Sequence, residues 1–406
     1  MRRDTDGPVR LAYLASHPIQ YQAPMLRRIA ADAAFALKVF FCSEISVHAY
    51  HDPGFGKTIA WDTPLLEGYD YTFLPAFDDR RRLTVWRPIN YGFARELRRG
   101  QFDLLWVNAY ARWAHLVAIA NAKRLGVKVL LRDEPTPISS RRGPVKRAVK
   151  AVFWAVLRQF CDGVCAIGKH NRDYFLGHGF PPDRIFSLPY GVDNDHFRAG
   201  AERAAPERET LRAELGLAPG RPIILFAGKL FARKRPLDVL EAHARLTEMV
   251  EARKPYLLFL GDGVDRAALE RRATELGTGA VRFLGFRNQS ELPRFYDLCD
   301  VFVMASEYEP WGLVVNEAMN AGRAVVISDE VGCAPDLVHD GENGFTYRKG
   351  DIAALTDALR RVLADPDTCR RMGQRSLAIV AEHSIEANVA GLKQACTALL
   401  GRPMAP

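Results

Sequence analysis

The sequence lacks the long apolar run that a membrane-spanning helix needs. Nowhere in its 406 residues does an apolar stretch approach the ~20 residues that cross a bilayer. The residues before the first strand-like run also lack the apolar core of a signal peptide. We therefore expect a cytoplasmic protein.

Paired cysteines and clustered metal ligands are also missing. Of the seven cysteines, only Cys161 and Cys165 lie close together, and no second Cys or His pair accompanies them as a zinc site requires. We expect unpaired structural thiols, no metal ion and no cofactor. Asp193 and Asp195 resemble a two-carboxylate metal motif, but a helix cap or hinge is favoured because they lie at the expected domain boundary.

The charge balance is basic, with a net charge of +8. Such a balance suits anionic small molecules, a membrane surface or nucleic acid. Nucleic acid is not expected, because no known binding module or long basic tract with interleaved aromatics is present. Residues 141–157 join a basic cluster to an apolar run, a combination compatible with an amphipathic helix on the anionic inner face of the cell membrane. A surface helix packed on its own domain is the alternative.

Strand-like and helix-like segments alternate in two series, over residues 9–166 and 222–328. This alternation indicates an α/β fold with doubly wound parallel sheets. The pattern breaks between the series, at a stretch rich in charged residues, Pro and Gly. We predict an N-terminal Rossmann-like domain over residues 1–195, a C-terminal one over 196–384, and a final helix over 385–406 that returns to the first domain.

One stretch, residues 309–322, predicts a turn that enters a short helix. Pro310 fixes φ near its start and Gly322 supplies an end signal. Glu317 lies off the predicted buried stripe of this helix, and its side chain leans back over the first turn. With Glu309 it flanks free amides and the positive end of the helix dipole, which suits a phosphorylated ligand. The alternative is an ordinary solvated, capped helix.

A basic loop follows the first strand of the second series. It runs from Gly228 to Pro236, between a strand and a helix, so its cations lie at the mouth of the predicted sheet. Lys229 and Lys234 can clamp the two phosphoryl groups of a diphosphate. The loop is not a Walker loop, because the Gly-rich cradle and its Lys-Ser/Thr ending are missing. A solvated basic loop is the alternative.

In the first domain, polar residues follow the predicted strands at their carboxyl ends. Ligands of such sheets bind at this edge, so we expect these residues on the acceptor side of the site. Each of them alone is also compatible with a structural role. The candidates are His17, Asn108, Tyr110 and Arg132.

Several motifs together resemble the retaining GT-B glycosyltransferases of family 4, the group 1 glycosyltransferases. They are Gly228-Lys229-Leu230 with Lys234, Phe283-Leu284-Gly285, Glu309-Pro310-Trp311-Gly312-Leu313 with Glu317-Ala318, and Asp340-Gly341-Glu342-Asn343-Gly344-Phe345. The opening Ser16-His17-Pro18-Ile19-Gln20-Tyr21 resembles a bacterial subgroup concerned with cell-surface saccharides. The resemblance covers essentially the whole chain. It implies GT-B architecture, with two Rossmann-like domains that face each other across a cleft.

The resemblance also implies roles for individual residues. Glu317 would hold the ribose hydroxyls of a nucleotide-diphosphate sugar. Lys229 and Lys234 would bind its diphosphate and stabilise the leaving group, and Glu309 would contact the donor sugar. The remaining donor-binding candidates are Gly228, Phe286, Trp311, Gly312 and Leu313.

The implied reaction moves a sugar to a saccharide or lipid-linked acceptor, with retention and without a metal, in the biosynthesis of surface glycans. The chain departs from the family pattern at three places. Lys229 stands where Arg is common, Asn108 stands where many members have His, and His17-Pro18 replaces a frequent Gly-Gly pair. Asn108 cannot act as a base. The alternatives are a sugar-nucleotide epimerase on the same scaffold and a catalytically silent nucleotide-binding partner subunit.

Overall fold

The computed structural model describes residues 7–52, 54–137, 143–249 and 254–404. The chain forms two compact units. The first comprises Met1–Tyr50, Thr63–Tyr190 and Ile385–Pro406, and the second comprises His51–Asp62 and Gly191–Ser384. The chain thus passes into the second unit after Tyr190, where the sequence predicted a boundary after residue 195. Residues 51–62, predicted within the first domain, belong to the second unit.

The first unit contains a parallel sheet of seven strands with the order β5-β2-β1-β6-β7-β8-β9. Most of its strand residues are buried, because helices pack on the two faces of a doubly wound sheet. The strands are β1 (Val9–Ala15), β2 (Phe35–Phe41), β5 (Tyr71–Phe73), β6 (Leu104–Asn108), β7 (Lys128–Arg132), β8 (Gly163–Ala166) and β9 (Ile185–Ser187). The helices are α1 (Ala23–Ala30), α2 (Phe93–Gly100), α3 (Trp113–Arg124), α4 (Pro144–Phe160), α5 (Lys169–Gly177) and α15 (Ile385–Leu400).

The second unit contains a parallel sheet of six strands with the order β12-β11-β10-β13-β14-β15. Its strands are β10 (Ile223–Ala227), β11 (Tyr256–Leu260), β12 (Val281–Gly285), β13 (Val301–Met304), β14 (Ala324–Ser328) and β15 (Gly344–Tyr347). Its helices are α6 (Asn194–Ala204), α7 (Arg208–Glu214), α8 (Pro236–Met249), α9 (Arg266–Glu275), α10 (Leu292–Leu298), α11 (Leu313–Asn320), α12 (Ala334–Leu337), α13 (Ile352–Val362) and α14 (Pro366–Ala381). The predicted α/β alternation with two Rossmann-like sheets is confirmed.

Two stretches that look irregular in the sequence carry regular structure. The break between the two series holds α6 and α7, whose Arg, Glu and Ala residues favour helix. Asp193 caps α6, because its carboxylate accepts a hydrogen bond from the His196 amide at 3.0 Å. Its predicted capping role is confirmed. Residues 43–102 include a small two-stranded sheet of β3 (Tyr50–Asp52) and β4 (Lys57–Ile59).

The last helix, α15, lies in the first unit against α1 and β9. Leu392 and Cys396 are fully buried in the same core cluster as the residues of β1. At Gly391 the helix approaches β9 so closely that an added Cβ would lie 2.0 Å from the Ser187 carbonyl oxygen. Lys393 pairs with Asp32 at 3.1 Å. The core of the first unit therefore includes the last helix, α15.

No helix in the part of the chain that the structure describes is both long and apolar enough to cross a membrane. The described cysteines form no disulfide, and six of the seven are buried. Two residues of the predicted amphipathic segment, 141 and 142, lie outside the described residues. The rest of that segment forms most of α4.

Candidate functional site

The start of α11 is built on a glycine that no other residue could replace without strain. Gly312 adopts φ +100°, and an added Cβ would lie 3.0 Å from Val331 and 3.1 Å from the sulfur of Met304. Leu313 then begins the helix and is half-buried. The chain thus presents the first amides of α11 at the end of a sharp left-handed turn, as an anion site requires.

Glu317 is buried, which corrects the predicted helix face. It was expected to lie off the buried stripe, but α11 is enclosed on almost every side from Val315 to Asn320, and Glu317 is only 6% exposed. The Tyr296 hydroxyl donates a 2.6 Å hydrogen bond to its carboxylate. Burial raises the pKa of Glu317 to about 7, and the hydrogen bond from Tyr296 opposes that rise. The carboxyl group therefore changes charge near neutral pH.

Lys234 and Glu309, two of the predicted catalytic residues, form an ion pair. Their side chains are 15% and 17% exposed, so the pair is largely shielded from water. The contact joins the loop after β10 to the loop after β13, and β10 and β13 are adjacent strands of the sheet. The two loops thus meet at the carboxyl edge of the sheet, where ligands of such folds bind.

Lys229, the other predicted cation, is held by a residue that the sequence did not single out. Its ammonium lies 2.8 and 2.9 Å from the two carboxylate oxygens of Asp52, and 4.8 Å from the ring centre of Phe55. Although burial opposes it, the hydrogen bond and charge of Lys229 hold the pKa of Asp52 below its usual range. Both carboxylate oxygens of Asp52 thus face the predicted diphosphate lysine.

The segment that carries Asp52 is anchored to the second unit by further contacts. Lys57 donates to Asp262 at 2.7 Å, in the tight turn after β11. Phe286, a predicted donor-binding residue, packs edge-on against Phe55 at 4.9 Å between ring centres. Trp61 lies 6.3 Å from the same Phe286 ring. Phe286 is therefore part of an aromatic cluster between this segment and the end of β12.

Trp311 and Gly228 form hydrogen bonds with neighbouring groups of the second unit. Trp311 is 3% exposed, and its indole N–H donates to the Asn316 side chain at 2.9 Å. The amide of Gly228 donates to the Leu260 carbonyl at 2.9 Å, at φ +149°. Gly261 packs directly on it, since a Cβ there would lie 1.9 Å from the Gly228 oxygen. Direct contact of either residue with a donor stays a prediction.

The acceptor-side candidates of the first unit occupy different environments. His17 follows β1, with Nδ1 2.8 Å from the Ser16 hydroxyl. Burial and the charge of Arg112 lower the pKa of His17 to about 4, so it is neutral at physiological pH. Asn108, the last residue of β6, is half-buried.

Arg132 and Tyr110 are packed more tightly than the sequence suggested. Arg132 is 2% exposed, and its guanidinium stacks on the Tyr190 ring at 4.2 Å, which makes it a core residue in this structure. Tyr110 lies against Trp154, with ring centres 4.9 Å apart, and the Lys150 ammonium sits 4.3 Å above its ring.

Among the described residues, no group of three or more His, Cys, Asp or Glu side chains is placed to hold a metal ion.

Two family models match the chain. The model described as glycosyl transferases group 1 matches residues 207–378, and the one described as glycosyltransferase family 4 matches residues 43–196. Together they cover most of both units. The chain belongs to the group 1 glycosyltransferases.

Curated relatives agree with this assignment. A D-inositol 3-phosphate glycosyltransferase from Nocardia farcinica is 36% identical over 274 residues, covering 66% of this chain and 57% of the relative. A lipopolysaccharide core biosynthesis glycosyltransferase, LpsE from Rhizobium meliloti, is 36% identical over 166 residues, covering 40% of this chain and 46% of the relative. The chain thus spans about half the length of these two relatives.

The fold of this chain has a counterpart among solved structures. HepE from Anabaena, solved in complex with UDP, superposes with a TM-score of 0.68 at 17% identity, over 95% of this chain and 98% of that one. The predicted family and the GT-B fold class are confirmed. The family models favour a glycosyltransferase over the epimerase and the silent subunit.

No sequence signal pointed to three residues that the structure places in notable environments. Asp52 lies 177 positions from Lys229, and no local pattern connects them. Tyr296 sits on α10, where a buried aromatic residue reads as core. His115 is fully buried on α3, with Nδ1 2.8 Å from the Ala109 carbonyl, and burial lowers its pKa to about 4. A single histidine in an apolar helix gives no signal by itself.

Proposed function

We propose that this chain transfers a sugar from a nucleotide-diphosphate sugar to an acceptor, with retention of configuration and without a metal ion, in the biosynthesis of a surface glycan. The contact between the loops after β10 and β13 carries the proposal, since it brings Lys234 to Glu309 at the start of α11. LpsE, a relative named for lipopolysaccharide core biosynthesis, supports a surface glycan as product.

In this proposal, the residues of the second unit act on the leaving group. The bond between the sugar anomeric carbon and the diphosphate oxygen breaks, and a bond to the acceptor oxygen forms on the same face. The acceptor's proton passes to the departing diphosphate. Lys229, Lys234 and the first amides of α11 offset the negative charge that develops there, which is the usual source of rate enhancement in such sites. Glu317 accepts hydrogen bonds from the ribose and so orients the donor.

The donor is identified by thermal stabilisation with UDP-, GDP-, ADP- and dTDP-sugars, because a bound ligand raises the melting temperature by mass action. UDP-sugars are the first choice, since HepE, with the same fold, binds UDP. NMR of the anomeric proton in the product then reports retention. An inverted product would contradict the proposed stereochemistry.

The site assignment is tested with Glu317→Gln and Lys234→Ala. We expect each variant to lose transfer by roughly 10²–10³-fold while remaining folded, because each removes a group that the transition state needs. Arg375→Ala is the control, since it breaks an exposed ion pair of the same unit, with Glu342. Turnover like that of the wild type in both site variants would refute the assignment. Release of an epimerised free sugar without an acceptor would instead favour the epimerase.

We further propose that α4 rests on an anionic membrane surface. Four valines, Val145, Val149, Val152 and Val156, share one face of α4 and are 53–75% exposed. Lys146, Arg147 and Lys150 flank them. An exposed apolar stripe beside basic side chains is typical of helices that lie in a lipid interface.

Co-sedimentation with vesicles tests this contact. We expect binding to phosphatidylglycerol vesicles, weaker binding to phosphatidylcholine vesicles, and loss of binding in Val152→Glu. Val264→Glu is the control, because Val264 is 74% exposed in the other unit. Equal binding of both variants and the wild type would rule α4 out as the contact.

A further inference from the structure

A groove in the first unit combines an apolar wall with cations. It encloses about 740 Å³ and lies between the start of α3, the first half of α4 and the 84–86 loop. This volume is within the roughly 300–1,000 Å³ of small-molecule sites. Its apolar lining includes Trp86, Trp113, Leu116 and Phe153.

Two hydrogen bonds hold the loop that carries Trp86 against the start of α3. The Trp113 amide donates to the Val85 carbonyl at 2.9 Å, and the Arg112 guanidinium donates to the Thr84 carbonyl at 2.6 Å. These bonds fix the loop against α3 and place the Trp86 and Trp113 rings 6.0 Å apart. Both indoles stay exposed, at 66% and 49%, although tryptophan is usually covered. The two tryptophans thus form an aromatic surface that faces solvent.

Three basic side chains of the groove are placed to bind an anion. Arg112 is half-buried, forms no ion pair with any residue that the structure describes, and burial lowers its pKa. Lys146 is exposed at the rim and likewise has no acidic partner among the described residues. Lys150 lies over the Tyr110 and Phe153 rings at 4.3 and 5.1 Å. Partly desolvated positive charge beside aromatic rings favours a phosphate or diphosphate group.

We propose that this groove binds the acceptor of the transfer reaction, and that the acceptor is an isoprenoid-linked phosphate or diphosphate saccharide rather than a free saccharide. The apolar wall takes the first isoprenoid units, and Arg112, Lys146 and Lys150 take the phosphate. This assignment rests on the proposed sugar transfer, whose acceptor class it names. A free saccharide has neither an apolar tail nor an anionic group to match this lining.

Binding is measured by intrinsic fluorescence without any donor, so the result is independent of whether transfer occurs. Trp86 and Trp113 report on the groove directly. We expect farnesyl diphosphate to shift and saturate the emission, farnesol to bind more weakly, and inorganic diphosphate to cause no shift. Inorganic diphosphate as effective as farnesyl diphosphate would overturn the apolar half of the proposal. Dihexanoyl phosphatidylglycerol binding as tightly would overturn the isoprenoid acceptor in favour of a general lipid site.

Variants separate binding in the groove from the overall charge of α4, since Val145 and Val149 of its exposed stripe also line the groove. We expect Lys146→Ala to weaken farnesyl diphosphate binding about fivefold, the upper end of what a solvent-exposed ion pair contributes. Arg147→Ala is the matched control, because Arg147 follows Lys146 on the same exposed helix but does not line the groove. Equal weakening in both variants would overturn the site, since it would reflect only the overall charge of α4.

Activity gives the second readout. With an isoprenoid-linked acceptor, we expect Trp113→Ala to raise the acceptor KM about tenfold or more, as lost burial of a large aromatic group predicts. An unchanged acceptor KM would contradict the groove assignment, whereas absence of donor turnover in the wild type would contradict the proposed function alone.

Discussion

At the scale of single residues, burial sets the chemistry of the candidate site. A solvated glutamate is ionised at any physiological pH, but Glu317 has been removed from water and holds its proton to about pH 7. The Tyr296 hydroxyl partly compensates by donating to the carboxylate. Tyr296 is therefore a positioning residue, acting through Glu317.

Tyr296→Phe tests this role. We expect donor KM at pH 7 to rise up to about tenfold, because loss of one hydrogen bond to a charged group raises the pKa of Glu317 further and loosens its orientation. Most of the loss should be recovered at pH 8.5, where the carboxylate is ionised again. Tyr347→Phe is the control, since the Tyr347 hydroxyl is buried in the same unit with no hydrogen-bond partner among the described residues. A loss independent of pH would mean that Tyr296 has only a structural role.

Glu317 also links stability to pH. Its folded pKa of about 7 lies above the ordinary value of 4.5, so between these values the folded state holds a proton that the unfolded state has released. The free energy of unfolding should therefore fall by roughly 3 kcal/mol as pH rises from 4.5 to 7, and level off above. Urea unfolding at several pH values measures this slope. Glu317→Gln should have a shallower slope by that amount, and identical slopes would show that Glu317 is not the group responsible.

At the scale of elements, the small sheet of β3 and β4 is the least expected part of the site. It comes from the first part of the sequence, yet the Asp52 carboxylate of this sheet forms an ion pair with Lys229. A diphosphate that binds Lys229 must compete with Asp52 for the same ammonium. If Lys229 binds the donor as proposed, Asp52 lowers the positive charge available to the diphosphate.

Asp52→Asn should release that lysine. We expect UDP and inorganic diphosphate to bind several-fold more tightly by calorimetry, since a competing charge-assisted contact is removed while the amide oxygen can still accept from the Gly54 backbone. Asp62→Asn is the control, because Asp62 anchors the same segment through Ser290 without touching Lys229. Weaker diphosphate binding in Asp52→Asn would instead show that Asp52 orients Lys229 for the ligand.

At the scale of the whole molecule, the chain closes its first unit with its last helix. Residues of α15 fill the core beneath β1 and β9, so the first unit depends on residues nearly 400 positions from its first strand. The sheets of the two units have separate cores. A substitution in the buried face of α15 should therefore lower the stability of the first unit alone.

Leu392→Ala tests this separation. We expect a loss of ~2–5 kcal/mol in the stability of the first unit, the usual cost of emptying a fully buried leucine site. Hydrogen exchange should accelerate in β1 and β9 but not in β10. Leu176→Ala is the control, because Leu176 is 38% exposed on α5 of the same unit. Equal acceleration in β10 would show that the two units unfold together.

Much of the fold was predictable because it depends on local patterns. The strands Val9–Ala15 and Phe35–Phe41 are short, mostly apolar segments, which single them out as strands from the sequence alone. The helix after Gly312 and the basic loop after β10 are also local features. The family was predictable for the same reason, since its motifs are short and contiguous.

The pairing of side chains was decided only by the tertiary structure. Lys229 meets Asp52, Lys234 meets Glu309, and Tyr296 meets Glu317 across separations of 177, 75 and 21 positions. Sequence periodicity places a side chain on a face of its own element but does not say which residue of another element it meets. Local patterns thus predicted the two α/β series and which charged residues are candidates for the site. Which of these side chains meet depends on the fold, because the parallel sheet brings the loops after β10 and β13 to one edge and the small β3–β4 sheet brings Asp52 to Lys229.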